Sequence, residues 1–207
     1  MYAFFPTLLD AFSWYKRSES ETALQEFLDK VNRVKTPATD PQLRGIAFND
    51  VVDMAIKGKE YATEDAIVMC HDMPVPFEIV DEFAQLFSGA ALQVFADCRL
   101  SVGENQVKIY GYMDALKGNT IGEFKTTAKY EFPKYLHNWQ HPAYLQCLKD
   151  NGIRRFVYLI TDFKSVYRED YHWTIEGENN LKGICAELIE FLEAKRELIT
   201  DKKVFGE

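Results

Sequence analysis

GYMDALKGNTIGEFKTT, residues 111–127, is the stretch on which both fold and chemistry turn. Gly118-Asn119 reads as a two-residue turn, because both residue types tolerate positive φ and such turns suit a tight antiparallel hairpin. With those two as the loop, Lys117 faces Thr120 and Asp114 faces Glu123. Directly opposite residues share a face, with Cβ atoms about 4.5–5.5 Å apart. Lys125, two positions past Glu123, lies on that same face. Opposed carboxylates repel unless something neutralises them. A divalent cation does so, with water and phosphate completing its oxygen shell. A neighbouring lysine can position or deprotonate an attacking water, or stabilise charge developing on a phosphate. The same residues also fit a surface hairpin charged for solubility. Asp114 in Tyr-Met-Asp-Ala-Leu and Glu123 beside Phe124 sit in apolar contexts, but the residues alone leave both readings open.

Outward from the hairpin, the apolar period changes. Residues 92–100 and 106–116 alternate as strands around Gly103-Glu104-Asn105, and residues 120–126 make a third. Residues 154–161 and 166–175 read as two more strands. Upstream, the periodicity is helical. Residues 7–15 form a helix with Thr7 as cap and Asp10 in a capping-box position. Residues 20–34 form a second, carrying Leu24, Phe27, Leu28 and Val31. Asp40-Pro41 is a cap followed by a first-turn proline, opening a third helix to about Lys57, with Gly58 closing it. Phe77, Val80, Phe83, Ala84 and Phe87 mark a fourth, ending at Gly89. Helices are also expected over residues 133–150 and 178–199. The expected fold class is α/β, a mixed central sheet flanked by helices on both faces. One domain over residues 1–207 is expected: a helical part to about 90, a sheet core over 91–175 and a last helix.

The chain has 207 residues, 47% hydrophobic and 27% charged, with a net charge of −8. That balance disfavours a broad basic coat on nucleic acid, yet leaves room for an enzyme gripping phosphates locally. No apolar run nears the roughly 20 residues of a membrane span, so no membrane partner is expected. The first residues lack the pattern of a secretory signal. Cys70, Cys98, Cys147 and Cys185 form no CxxC pair and read as inert thiols in a reducing compartment. A cytoplasmic protein is expected.

Three separated elements follow one another: Gly111-Tyr112-Met113-Asp114, then Glu123-Phe124-Lys125-Thr126, then Gln140-His141-Pro142-Ala143-Tyr144. In order and spacing they resemble the PD-(D/E)XK nuclease superfamily, and within it the RecB-type and phage-exonuclease branch. The resemblance spans residues 111–144. It implies a restriction-endonuclease-like core and a Mg2+- or Mn2+-dependent deoxyribonuclease. The expected activity is that of an exonuclease in phage or mobile-element recombination or repair, acting in a bacterial or phage-infected cell. An endonuclease on the same scaffold, or a non-catalytic DNA- or protein-binding member, are the alternatives. By resemblance Asp114, Glu123 and the Phe124 carbonyl hold metal and Lys125 is the catalytic lysine. Gln140, Tyr144 and Thr126 would contact substrate or position the lysine. DNA is the implied partner, with a homo-oligomer or a recombination protein as a further one.

The chain departs from that pattern in two places. Branch members carry a metal-binding histidine after glycine in G-x-x-x-H spacing; here Gly45 leads to Asn49, with Asp53 one turn on. Asn49 and Asp53 are therefore candidate metal ligands or their supports. Pro142 inside the Gln-to-Tyr motif requires a fresh helix starting near Gln140. Cys185 stands alone near the C-terminus, so no iron–sulfur cluster is expected. His137 and His141 lack a third ligand and read as surface or phosphate-contacting residues. Phe12, Trp14 and Tyr15 before Lys16-Arg17 read as core packing, Arg154-Arg155 as a solvated strand entrance and Lys202-Lys203 as a frayed tail.

Overall fold

The computed structural model describes residues 1–206. Its elements are β1 (Tyr2–Phe4), α1 (Pro6–Arg17), α2 (Ala23–Val31), α3 (Asp40–Ile56), β2 (Ile67–Cys70), β3 (Met73–Pro76) and α4 (Phe77–Leu86). There follow β4 (Ala91–Val102), β5 (Asn105–Lys117), β6 (Thr120–Thr126), α5 (Gln140–Leu148), β7 (Arg155–Thr161), β8 (Val166–His172) and α6 (Ile175–Ala194). The architecture is α/β, with a mixed sheet ordered β1-β5-β6-β7-β8 and β4 on the other side of β5. β1–β5 and β6–β7 pair parallel; β4–β5, β5–β6 and β7–β8 pair antiparallel.

Helices cover both faces. α3, α4 and the β2–β3 hairpin bury Ala115, Phe124, Val157 and Leu159 on one side. α5 covers Met113, Ile121, Phe156, Tyr158 and Ile160 on the other. Beside it, α1, α2 and α6 close over Leu100, Val102, Val107 and Ile109. Among the described residues no helix is long and apolar enough to cross a membrane.

The hairpin forms where its sequence places it. Gly118 takes φ 57°, a conformation glycine adopts without a Cβ clash. Lys117 pairs with Thr120, Leu116 with Ile121 and Ala115 with Gly122.

Several local expectations are corrected. β1 and the β2–β3 hairpin lie in segments for which the sequence analysis names no element. Three residues make a weak ladder, but Phe4 is fully buried, and burying such a ring contributes about 1.5–3 kcal/mol. α1 begins at Pro6 after Phe5, so Thr7 is not its cap. α3 is capped by Thr39, whose backbone N–H donates to Gln42 Oε1 at 2.9 Å, placing Asp40 inside the helix. α5 begins at Gln140 rather than near Pro133, and Pro142 sits in its first turn, where it displaces no intrahelical hydrogen bond. α6 starts at Ile175, because Thr174 accepts from the Gly177 N–H at 2.9 Å and caps it. Lys202-Lys203 is no frayed tail: it opens a 3-10 turn whose Val204 and Phe205 are buried. His141 is half-buried rather than freely exposed. It stacks on Tyr171 with ring centroids 4.0 Å apart, and burial pushes its pKa down to about 4.

Candidate active site

β5 shares one edge between two partners. Residues 107–109 pair with β1 and residues 115–117 with β6. Among the described residues, 110–114 have no strand partner on that edge, because β6 leaves β5 after Gly122 and continues along β7 to Thr126. Side chains fill the fork. Asp114 Oδ2 accepts the Phe124 N–H at 2.7 Å. The Tyr144 hydroxyl donates to the Tyr112 carbonyl at 2.8 Å. Gly111 makes room for that hydroxyl, since a Cβ there would lie 2.6 Å from it. The expected cross-strand pair of Asp114 and Glu123 is thus corrected in detail. The ladder ends one step earlier, and the Asp114 carboxylate itself replaces the next backbone bond.

Glu123 is only 5% exposed. Its Oε1 accepts from Lys125 Nζ at 2.9 Å and from the Gln140 side-chain amide, while Oε2 is buried without a partner. Lys125 also lies 6.0 Å from the centroid of the Tyr158 ring. Burial pushes the Asp114 pKa up to about 7, and the Glu123 charge adds to the effect. A carboxylate pressed against another in an apolar setting, with an oxygen left over, is a donor set suited to a hard cation. Among the described residues no three His, Cys, Asp or Glu side chains group closely enough to hold an ion unaided. An ion here would rest on Asp114, Glu123, the Phe124 carbonyl and oxygens from water or substrate.

Four of the nine sequence candidates share a cleft, which Asp114, Glu123, Asp53, Gln140 and Tyr144 do not line. Asn49, Phe124, Lys125 and Thr126 line one cleft of about 330 Å3 between α3 and β6. Thr126 also borders an apolar groove of about 600 Å3 with Ile67, Met73 and Phe163. Asp53 lies close enough to raise the Asp114 pKa, but its Oδ2 is 3.7 Å from Lys57 Nζ and its Oδ1 is buried without a partner. Tyr144 is buried and spent on Tyr112. Of the remaining cations, Lys16 pairs with Glu187, Arg154 stacks over Trp173 and Arg155 pairs with Asp170.

Two residues of the site escaped the sequence reading. Asp10, expected in a capping-box position behind Thr7, instead accepts the Trp139 N–H at 2.7 Å and so fixes the start of α5. Burial pushes its pKa up to about 6, with the charges of Lys125 and Glu123 acting on it. Gln93 is the other. It occupies the place in β4 opposite Asp114, between the pairs Leu92–Ala115 and Val94–Met113. Its φ is 52°, unusual for a non-glycine residue inside a strand. Alternation breaks there: Val94 and Met113 pack toward α5, whereas Leu92 and Ala115 pack toward α3 and α4. The Gln93 side chain comes near enough to Asp53 to work against the burial that raises its pKa. Such interruptions re-aim side chains beside active sites, and their strain is held by the surroundings.

Gln93→Val should therefore destabilise the fold by about 2 kcal/mol, because a β-branched residue resists the left-handed region. Gln93→Gly should cost less than about 1 kcal/mol, as relief of strain offsets lost backbone restriction. Denaturation midpoints check this; equal losses in both variants would mean that positive φ is not what the position selects.

The acids also set a pH dependence for the metal-free protein. Asp114 and Asp10 have folded pKa values above their ordinary 3.8, so the folded state holds protons that the unfolded state releases. Their contribution to stability thus falls as pH rises from about 4 to 7, and the loss is complete above that window. Asp114→Asn keeps an acceptor for the Phe124 N–H and removes the ionisation. In EDTA it should match the parent near pH 4 and exceed it near pH 8 by the order of 2 kcal/mol. A pH-independent difference in unfolding free energy would refute the assignment.

No protein-family profile and no curated protein matches the chain. Among solved structures, Rai1 of Scheffersomyces stipitis gives a TM-score of 0.36 at 12% identity, covering 93% of this chain and 61% of that one. The chain is also similar to the crystal structure of SSO0001, with a TM-score of 0.54 at 14% identity over 95% of this chain and 79% of that one. At that identity the likeness to SSO0001 establishes a shared fold.

Proposed function

We infer that the chain is a magnesium- or manganese-dependent DNA nuclease acting at the fork between β5 and β6. The observation that carries this reading is the buried Glu123 carboxylate, with Lys125 on one oxygen and nothing on the other, beside a second acid. Buried carboxylate oxygens seldom lack a hydrogen-bond partner, so the unpartnered Glu123 Oε2 supports a ligand at this point. A bound divalent ion would supply Lewis acidity toward a phosphate oxygen and acidify a coordinated water.

The chain's own residues do the rest. The Phe124 N–H holds Asp114 and leaves its other oxygen for a ligand. The Gln140 amide and Lys125 fix the orientation of Glu123 through a single oxygen. Lys125 lines the cleft and its Nζ pairs with Glu123, a positive charge that would stabilise charge developing on a phosphoryl oxygen. Asn49 faces the same cleft from α3 and offers an amide in place of an imidazole. The reading extends to an exonuclease of phage or mobile-element recombination, on the motif resemblance.

Incubation of end-labelled linear and closed circular DNA with Mn2+ tests it. Loss of the linear substrate alone means exonuclease, and nicking of circles means endonuclease. No change in single- or double-stranded DNA with either metal overturns the nuclease reading.

A further inference from the structure

Away from the carboxylates, two thiols meet. Cys98 of β4 and Cys147 of α5 are 49 positions apart in sequence, and their Sγ atoms lie 3.1 Å apart. A disulfide needs about 2.05 Å, so roughly 1 Å of side-chain adjustment separates contact from a bond. The surroundings favour that adjustment. Cys147 Sγ is also 3.8 Å from the carbonyl of Ile109, the cross-strand partner of Cys98, so the helix seats its thiol directly over this strand pair. Both residues are half-buried, whereas Cys70 and Cys185 are fully buried.

We propose that Cys98 and Cys147 are a reversible oxidation site, converted by a peroxide into a disulfide that ties α5 to β4. Cys98 is the thiol that reacts first. The Cys147 S–H donates to it, and this holds the Cys98 pKa below its ordinary value and favours the nucleophilic thiolate. Cys147 is held far above the ordinary value by the same contact, so it serves as the resolving thiol. Burial pushes Cys70 up to about 11 and Cys185 up to about 12, leaving both inert. The chemistry balances. Cys98 thiolate attacks one peroxide oxygen and breaks the O–O bond; with protonation, this gives a sulfenic acid and one water. Cys147 then attacks the sulfenic sulfur, its proton leaves with the hydroxyl as a second water, and the S–S bond closes. The two thiols lose two electrons and the peroxide gains them. A reducing thiol reverses the step. The bond would anchor the helix whose first residue, Gln140, holds Glu123.

The test uses the purified full chain treated with hydrogen peroxide, alkylated, digested without reductant and read by mass spectrometry. A Cys98–Cys147 linked peptide, lost on adding dithiothreitol, is expected, with Cys70 and Cys185 recovered alkylated. The thermal midpoint should rise by about 5 °C on oxidation and return on reduction, because the crosslink restricts the unfolded chain. Cys147→Ser should instead accumulate a Cys98 sulfenic acid that dimedone traps. Free, fully alkylatable Cys98 and Cys147 after treatment would overturn the proposal. So would sulfinic acid at Cys98 without any crosslink, or a crosslink through Cys185. The measurement on the unmodified sequence decides even where a variant fails to fold.

Discussion

Lys125→Met should lower hydrolysis of DNA with magnesium or manganese by about 10³-fold, the loss expected when a positioned charge or proton-handling group is removed. Glu123→Gln should lower it by at least as much. The two variants differ in a second respect that ordinary misfolding would not reproduce. Lys125 partners a carboxylate that is otherwise buried beside another acid. Removing it should destabilise the metal-free protein by about 2 kcal/mol, less than a fully buried pair because the lysine keeps some exposure. Glu123→Gln relieves the charge that raises the Asp114 pKa and keeps an oxygen for Lys125 to donate to. In EDTA it should be at least as stable as the parent. A divalent ion should then raise the midpoint of the parent, since a ligand of the folded state alone stabilises it by mass action. It should leave Glu123→Gln nearly unmoved. Activity within tenfold of the parent in either variant would end the assignment of these residues to catalysis.

That stretch was legible because its signals are local. A Gly-Asn turn sets the register by arithmetic, and register decides which side chains share a face. The turn and its first three pairs follow the sequence reading. So does the helix starting at Gln140 that Pro142 demands. What failed is tertiary. Nothing in the sequence around Gln93 announces positive φ; the position is fixed by the need to reverse faces opposite Asp114. Asp10 carries a capping-box spacing, but its partner lies 129 positions away at Trp139. β1 leaves no signal because a three-residue strand has no period to detect, and its pairing partner is more than a hundred residues downstream. The fork itself could not be foreseen either. The arithmetic that paired Lys117 with Thr120 continues past Ala115 on paper, while in the fold β6 follows β7 instead.

The segment between β6 and α5 carries the second large effect. It joins Lys125 to Gln140, and a helix was expected over part of it. It is held instead by Glu169 of β8, which is 1% exposed. Glu169 Oε1 accepts from the Tyr130 hydroxyl at 3.0 Å and the Lys134 N–H at 2.7 Å. Its Oε2 accepts from the Tyr171 hydroxyl at 2.5 Å and the Tyr135 N–H at 3.1 Å. Burial alone would raise this carboxyl's pKa, yet the four donors, the Tyr171 hydroxyl foremost, hold it below the ordinary value. Its contribution is therefore present at neutral pH and is lost as the medium is acidified below the usual carboxylate range. Glu169→Ala should cost about 3–5 kcal/mol, because hydrogen bonds to a charged group are each worth about 1.5–3 kcal/mol and four buried donors lose their acceptor. Glu169→Gln should cost nearly as much, since its amide sets a donor against two of those four. Both variants should release the Lys134 and Tyr135 amides to hydrogen exchange well before the sheet unfolds. Because Tyr171 also stacks on His141, next to Gln140, activity should fall by about tenfold through loss of the Gln140 hold on Glu123. Unchanged exchange at Lys134 and Tyr135, with stability within about 1 kcal/mol of the parent, would show that the four bonds do not anchor this segment.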